Sequence, residues 1–199
     1  MTPVFRRLTA GAVAVLLAGS LAACSDDPNS IGAQANKGDS KGYVAGDGTI
    51  EQIGSGERGK PVSLSGKLLD GTQWSSDQAT GKVVVLNVWG AWCPPCQEEL
   101  PHLQKAWTGW QDSGKPVVML GINQRDSVQR AQAMLDKFAI SYPSLAEDGG
   151  RALLSLQGKV RAYPTTLVLD KQHRIAARVS GEVTESTLNG LVDDVLKSS

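Results

Sequence analysis

The sequence predicts an α/β domain with a central mixed sheet, flanking helices and an N-terminal β-hairpin extension. Residues 83–89 are almost continuously apolar and β-branched, which is typical of a strand covered on both faces. The segments between such strands carry apolar residues at helical spacing. Asp70-Gly71, a hairpin turn signal, separates two short strand-like stretches that come before this alternation.

The predicted strands follow the hairpin in a simple order. Residues 62–69 and 72–74 are the two arms of the hairpin. Residues 174–179 alternate between apolar and polar side chains, which favours an outer antiparallel strand. Apolar runs predict three central strands, at residues 83–89, 117–122 and 165–169. Strands separated by helices in this way indicate parallel central strands.

Three helices are predicted from amphipathic spacing. In the second, Asp126 is the predicted cap and Gln129 completes a capping box. Thr184 is the predicted cap of the last helix. The apolar face of the first helix consists of Leu100, Leu103, Trp107 and Trp110. The faces of the other two consist of Val128, Ala131, Leu135 and Phe138, and of Leu188, Leu191, Val192 and Val195.

Residues 1–23 predict an export signal, because a start that carries Arg6 and Arg7 is followed by a short apolar run and small residues. The run is shorter than the about 20 residues that a membrane-spanning helix needs. Residues 21–24, Leu-Ala-Ala-Cys, resemble the lipobox of bacterial lipoproteins, which implies lipid attachment at Cys24. Ordinary signal cleavage is the alternative. We therefore expect a lipid-anchored protein on the extracytoplasmic side of the cell membrane.

Residues 24–60 predict a flexible tether, and residues 61–199 the folded domain. The stretch 25–60 contains eight Gly and few large apolar residues, so it buries too little surface to offset its ordering entropy. A short strand at residues 49–53 is compatible with this composition. The whole chain of 199 residues has a formal net charge of zero, which gives no indication of a nucleic-acid partner.

The chemistry is predicted at residues 92–96, which read Trp-Cys-Pro-Pro-Cys at a junction between a strand and a helix. Cysteines three residues apart at a helix start lie about 5–6 Å apart between Cα atoms, which suits a disulfide. Cys93 precedes the first turn, where the helix dipole should lower its thiol pKa and make it the nucleophile. Cys96, one turn inside the helix, suits the resolving role.

A zinc half-site is the competing interpretation of this cysteine pair. Zinc takes four ligands, often from a second pair of cysteines or from two histidines. The chain has three cysteines and two histidines, His102 and His173, which stand apart in the sequence. We predict no metal site, and expect His173 to be a solvated loop residue.

Residues 85–101 and 163–170 resemble the TlpA/ResA-like thioredoxins, and the likeness extends over residues 61–199. The resemblance implies a thioredoxin-like fold and a membrane-tethered thiol–disulfide oxidoreductase that needs no cofactor. Pro164 matches the cis-proline that faces the redox pair and, together with Tyr163, is predicted to bind substrate. Trp92 either shields the disulfide or contacts substrate.

The resemblance also assigns two polar residues near the cysteines. Glu99 matches an acidic position of the family and is expected to exchange a proton with Cys96. The alternative is a solvated glutamate near the start of a helix. Asn87 occupies the place of the buried Asp of thioredoxin itself and is expected to be a buried polar residue bonded to the backbone.

These features predict a reductase of protein disulfides, supplied with electrons by a membrane thiol carrier. The resemblance adds apocytochrome c as a substrate, in cytochrome c maturation. Three alternatives stay open: an oxidase that forms disulfides, a peroxiredoxin-type peroxidase, and a non-catalytic tethered binding module. Pro95 favours the reductase, because oxidases often carry His at that position.

Overall fold

The computed structural model describes residues 46–199, which fold around a six-stranded mixed sheet. The strand order is β1-β8-β7-β4-β5-β6. The sheet strands are β1 (Thr49–Gln52), β4 (Val83–Trp89), β5 (Val117–Asn123), β6 (Ser144–Leu145), β7 (Thr165–Leu169) and β8 (Ile175–Ser180). A separate hairpin is formed by β2 (Ser65–Lys67) and β3 (Gln73–Ser75).

The centre of the sheet is β4, which pairs in parallel with β5 and antiparallel with β7. The prediction of parallel central strands is therefore correct for β5 and wrong for β7. All seven residues of β4 are buried, which explains why its sequence does not alternate with polar residues. Its side chains nevertheless divide between two core layers. Val83 and Val85 contribute to one layer, and Val84, Leu86 and Val88 to the other.

Four helices accompany the sheet: α1 (Pro94–Asp112), α2 (Val128–Lys137), α3 (Arg151–Ser155) and α4 (Glu185–Lys197). The layer that contains Val83 and Val85 is built with apolar residues of α1 and α4. Trp110 of α1 is buried there, whereas Trp107 packs against the layer and is only partly buried. The predicted mixed sheet with flanking helices is confirmed.

The hairpin extension contributes to the other layer of the core. Val62, Leu64 and Trp74 are buried against the layer that contains Leu86. The turn forms as predicted, because the Asp70 carboxylate accepts a hydrogen bond from the backbone N–H of Thr72 at 2.9 Å. The first arm, β2, is shorter than the predicted segment 62–69, whereas β3 has the predicted three residues and lies one position later than 72–74.

The start of the folded part and the identity of the outer strand differ from the prediction. The folded part begins before residue 61, since β1 pairs with β8 and so makes β1, rather than β8, the outer strand. Arg58 holds the segment after β1 against the domain. Its guanidinium donates hydrogen bonds to the carboxylate of Asp170, at 3.1 Å, and to the hydroxyl of Ser198, at 2.7 Å. The pairing of β1 with β8 and the buried ion pair of Arg58 with Asp170 therefore stabilise residues whose composition alone predicts a tether.

Two smaller predictions were wrong. Ser127, not Asp126, caps α2, since its hydroxyl accepts a hydrogen bond from the N–H of Arg130 at 3.3 Å. Asp126 is unavailable as a cap because its carboxylate binds another loop, as described below. His173 is partly buried, and its Nε2 lies 3.0 Å from the carbonyl oxygen of Ala79.

The first described residues lie at the same end of the sheet as the strand–helix junction. Thr49 is paired with Ser180, Ser180 with Thr165, and Thr165 with Val88 near the end of β4. A Cβ atom on Gly46 would lie 2.1 Å from the Gly181 nitrogen, so the chain passes there in close backbone contact.

No helix within residues 46–199 is both long enough and apolar enough to cross a membrane. The predicted export signal at residues 1–23, the predicted lipid site at Cys24 and most of the predicted tether lie outside the described residues.

Candidate active site

The two cysteines form a disulfide at the start of α1. Cys93 is the N-cap residue, and its sulfur accepts a hydrogen bond from the N–H of Cys96 at 3.3 Å. Pro94 begins the helix, where its missing N–H removes no intrahelical hydrogen bond. The Cα atoms of the two cysteines are 5.3 Å apart, which confirms the spacing predicted for a redox pair.

Both cysteines are fully buried in this oxidised form. They belong to an apolar cluster that includes Trp89, while Trp92 and Tyr163 pack against the cluster from partly exposed positions. The rings of Trp92 and Tyr163 meet edge to face, with centroids 5.2 Å apart. Since exchange requires direct attack on a sulfur, a substrate must displace side chains of this cluster to reach Cys93.

Glu99 is buried beneath the surface, on the α1 turn that follows Cys96. Its Oε1 accepts a hydrogen bond from the Asn87 side-chain amide at 2.7 Å, and its Oε2 accepts one from the N–H of Val183 at 3.3 Å. Asn87 also donates to the hydroxyl of Thr166 at 3.1 Å. Asn87 therefore bonds side chains rather than the backbone, and a solvated Glu99 is excluded.

Burial raises the pKa of the Glu99 carboxyl from its ordinary value of 4.5 to about 8, despite the opposing hydrogen bonds from Asn87 and Val183. The nearby charge of Glu182 adds to the increase. Glu99 is therefore protonated at neutral pH, with a pKa close to that of an ordinary thiol. A carboxyl of this kind is suited to exchanging a proton with a cysteine.

Pro164 precedes β7 and follows a cis peptide bond with Tyr163, as predicted. Its carbonyl oxygen accepts a hydrogen bond from the N–H of Gly181 at 2.9 Å. Because Thr165 is paired with Val88, the sheet brings Pro164 to the edge at which β4 leads into the cysteine motif. The predicted substrate-binding residues thus lie around the same end of the sheet.

The loop between β5 and α2 contacts the segment before Cys93, which sequence reasoning did not predict. The carboxylate of Asp126 accepts a hydrogen bond from the N–H of Ala91 at 2.7 Å. The carbonyl oxygen of Gln124 accepts one from the indole N–H of Trp92 at 2.8 Å. Nothing in one sequence shows that these two loops meet, because the contact depends on the pairing of β4 with β5.

The side chain of Arg125 borders Trp92. The guanidinium of Arg125 lies 5.6 Å from the centroid of the Trp92 ring, within the range of a cation–π contact. Arg125 has a left-handed backbone with φ of 54°, and its N–H donates to the carboxylate of Glu147. Within residues 46–199, no group of three or more His, Cys, Asp or Glu side chains is arranged to hold a metal ion.

The family comparison agrees with this geometry. A family model described as the AhpC/TSA family matches residues 59–178. A curated relative, the thiol-disulfide oxidoreductase ResA of Halalkalibacterium halodurans, is 28% identical over 125 residues, which cover 63% of this chain and 69% of the relative. The residues matched by the family model contain the strand–helix junction with its two cysteines.

Solved structures extend the similarity over most of the folded part. A DsbF homologue from Corynebacterium diphtheriae is 37% identical, with a TM-score of 0.68, and the match covers 75% of this chain and 94% of that one. A secreted thiol-disulfide isomerase from Corynebacterium glutamicum is 35% identical, with a TM-score of 0.69, covering 76% and 94%. The fold is therefore thioredoxin-like.

Proposed function

Given that the chain belongs to the AhpC/TSA family and is a thiol–disulfide oxidoreductase, we propose that it reduces protein disulfides on the extracytoplasmic side of a membrane. The observation that carries this proposal is the protonated, buried Glu99 on the helical turn after Cys96. With a pKa of about 8, a fraction of this carboxyl is ionised at neutral pH and accepts the Cys96 proton, and its acid form returns a proton in the reverse step.

The reaction begins when the Cys93 thiolate attacks a disulfide of the substrate. A mixed disulfide forms between Cys93 and the substrate, and the first substrate thiolate leaves. Cys96 then gives its proton to the ionised form of Glu99 and attacks the Cys93 sulfur. The second substrate thiolate leaves and takes up a proton, so that the substrate is reduced and Cys93–Cys96 is oxidised.

The return step requires a reductant. A thiolate of a membrane thiol carrier would attack the Cys93 sulfur and release the Cys96 thiolate, which the carboxylic acid of Glu99 would protonate. The second thiol of the carrier would then attack the carrier sulfur of this mixed disulfide and release the Cys93 thiolate, which leaves the carrier oxidised and the cysteine pair reduced. Attachment through Cys24 supports this assignment, because it would hold the domain near such a carrier. The lipobox-like residues 21–24 are the support for that attachment.

Apocytochrome c is the proposed substrate, in cytochrome c maturation. This assignment comes from the similarity to the TlpA/ResA-like thioredoxins. Pro95 supports the reducing direction, since this position lacks the histidine that stabilises the thiolate in many oxidases. Trp92, Tyr163 and Pro164 would contact the substrate chain.

Trapping of the mixed disulfide tests the proposal. Cys96→Ser should stall the reaction after the first step and accumulate substrates bound to Cys93, whereas the matched variant Cys93→Ser should capture none. Recovery of apocytochrome c supports the proposed pathway. Equal capture by both variants would contradict the assignment of Cys93 as the attacking cysteine.

A disulfide-forming or isomerising activity is the second candidate. It is favoured by the 35% identity to a chain described as a secreted thiol-disulfide isomerase. The equilibrium of the dithiol with glutathione distinguishes the two, because a reductase keeps its disulfide far more stable than an oxidase does. Ready reduction of Cys93–Cys96 by reduced glutathione would reject the reductase assignment.

A further inference from the structure

The carboxylate of Asp126 is fully buried against the loop that leads to Cys93. Its Oδ2 accepts hydrogen bonds from the N–H of Ala91 at 2.7 Å and from the side-chain amide of Asn123 at 3.4 Å. Its Oδ1 accepts one from the N–H of Ser127 at 3.0 Å. A buried carboxylate with this many donors is held in a fixed position.

The peptide units around Ala91 are held from both sides. The carboxylate of Asp126 accepts a hydrogen bond from the N–H of Ala91, and the side-chain amide of Gln97 donates one to the carbonyl oxygen of Ala91 at 2.9 Å. The N–H of Gln124 donates to the carbonyl oxygen of Trp89 at 2.9 Å. The segment between β4 and Cys93 is therefore positioned by one charged group and by neutral ones.

We propose that Asp126 is a positioning residue of the redox reaction. Its buried carboxylate fixes the position of the segment that leads to Cys93, and its negative charge disfavours the Cys93 thiolate. The effect opposes that of the α1 N-terminus, which stabilises the same anion. A buried charge is poorly screened by water or salt. Disfavouring the thiolate makes the disulfide form more stable, which is the direction that a reductase requires.

Other charged groups face the same region. Arg130 lies on the exposed side of Asp126, with 3.6 Å between its Nε and Oδ1, and 62% of its side chain is exposed. Solvent screens such a charge more strongly than a buried one. Arg125 beside Trp92 is an exposed residue whose charge solvent also screens, and Glu99 is protonated at neutral pH. Asp126 is thus the buried anion next to the Cys93 loop.

This role rests on the proposed function, because it acts on Cys93 as the attacking cysteine. The test is the thiol pKa of Cys93 in the reduced protein, measured as the pH dependence of its alkylation rate. Asp126→Asn keeps an oxygen acceptor for Ala91 and removes the charge, so it should lower that pKa by about half a unit or more. Gln97→Ala, the neutral control, should leave it unchanged.

The equilibrium with glutathione gives a second measurement. Oxidised glutathione converts the dithiol to the disulfide and yields two reduced glutathione molecules, so the equilibrium constant reports the stability of Cys93–Cys96. Measured at a pH above the thiol pKa of Cys93, this constant should shift toward the dithiol by roughly threefold in Asp126→Asn, the equivalent of half a pKa unit. Gln97→Ala should again match the wild type.

Asp126→Ser keeps the proposal testable if Asp126→Asn does not fold. Its hydroxyl is a smaller neutral acceptor that also removes the charge, so it should lower the thiol pKa of Cys93 in the same direction. An unchanged pKa and glutathione equilibrium in Asp126→Asn, or in Asp126→Ser if that variant alone folds, would overturn the proposal. Equal shifts in Gln97→Ala would overturn the charge effect. A wild type that cannot exchange with glutathione would instead contradict the proposed function.

Discussion

Replacement of Glu99 by Gln should make the protein more stable at alkaline pH than at acidic pH, relative to the wild type. The carboxyl is buried and has its pKa raised to about 8, so the folded protein holds a proton there that the unfolded chain has already released. The folded state therefore binds more protons between pH 4.5 and about 8. Stability supplied by the wild-type carboxyl is lost as pH rises through this interval.

The magnitude follows from the width of the interval. Each unit of pKa difference corresponds to about 1.4 kcal/mol, so a change from 4.5 to about 8 gives a cost of about 5 kcal/mol once Glu99 is fully ionised in the folded protein. Gln does not ionise and does not carry this cost. It supplies one carbonyl oxygen for the two donors, Asn87 and Val183, which adds a constant loss at every pH.

Urea denaturation of the oxidised wild type and Glu99→Gln at several pH values between 5 and 8 measures this effect. Both proteins keep the Cys93–Cys96 disulfide, so thiol ionisation does not enter the comparison. The difference in free energy of unfolding should move in favour of the variant by about 1.4 kcal/mol per pH unit. A difference that does not change with pH would refute a raised pKa at Glu99.

Three further changes have defined outcomes in denaturation experiments. Arg58→Met should lower the free energy of unfolding by about 2 kcal/mol. This is less than the cost of breaking an isolated buried ion pair, because Arg174 also binds Asp170. No loss of stability would show that Arg58 does not hold the N-terminal segment. Gly90→Ala would put a Cβ 2.4 Å from the indole nitrogen of Trp92 and should cost about 1–3 kcal/mol and slow insulin reduction; wild-type behaviour would contradict the close approach. Ser127→Ala should cost about 1 kcal/mol through loss of the α2 cap, and a neutral result would argue against that cap.

The alternation of apolar strands and amphipathic helices was sufficient to predict the sheet centre. The run from Val83 to Trp89 is buried on both faces, as its apolar, β-branched composition and its length of seven residues predict for a central strand. The short elements β6 and α3, of two and five residues, were not predicted. Segments of this length carry too few residues to show a period, and their structure depends on the neighbours they pack against.

The sequence located the redox pair but not the surroundings that tune it. A helix start with two facing sulfurs is identified by the spacing of Cys93 and Cys96 and by the two prolines between them. The burial of Glu99 could not be predicted from the sequence, because a glutamate near a helix start is solvated in most proteins. Its environment depends on Val183, which lies 84 residues away in the chain.

Backbone contact between Gly46 and Gly181 means that the polypeptide joins the domain at its reactive end. The upstream part of the chain is therefore connected to the domain beside Gly181, whose N–H is bonded to Pro164. A lipid on Cys24 would thus limit how far the sulfurs travel from the bilayer. The number of residues between Cys24 and Gly46, more than the shape of the domain, would then decide which substrates are within reach.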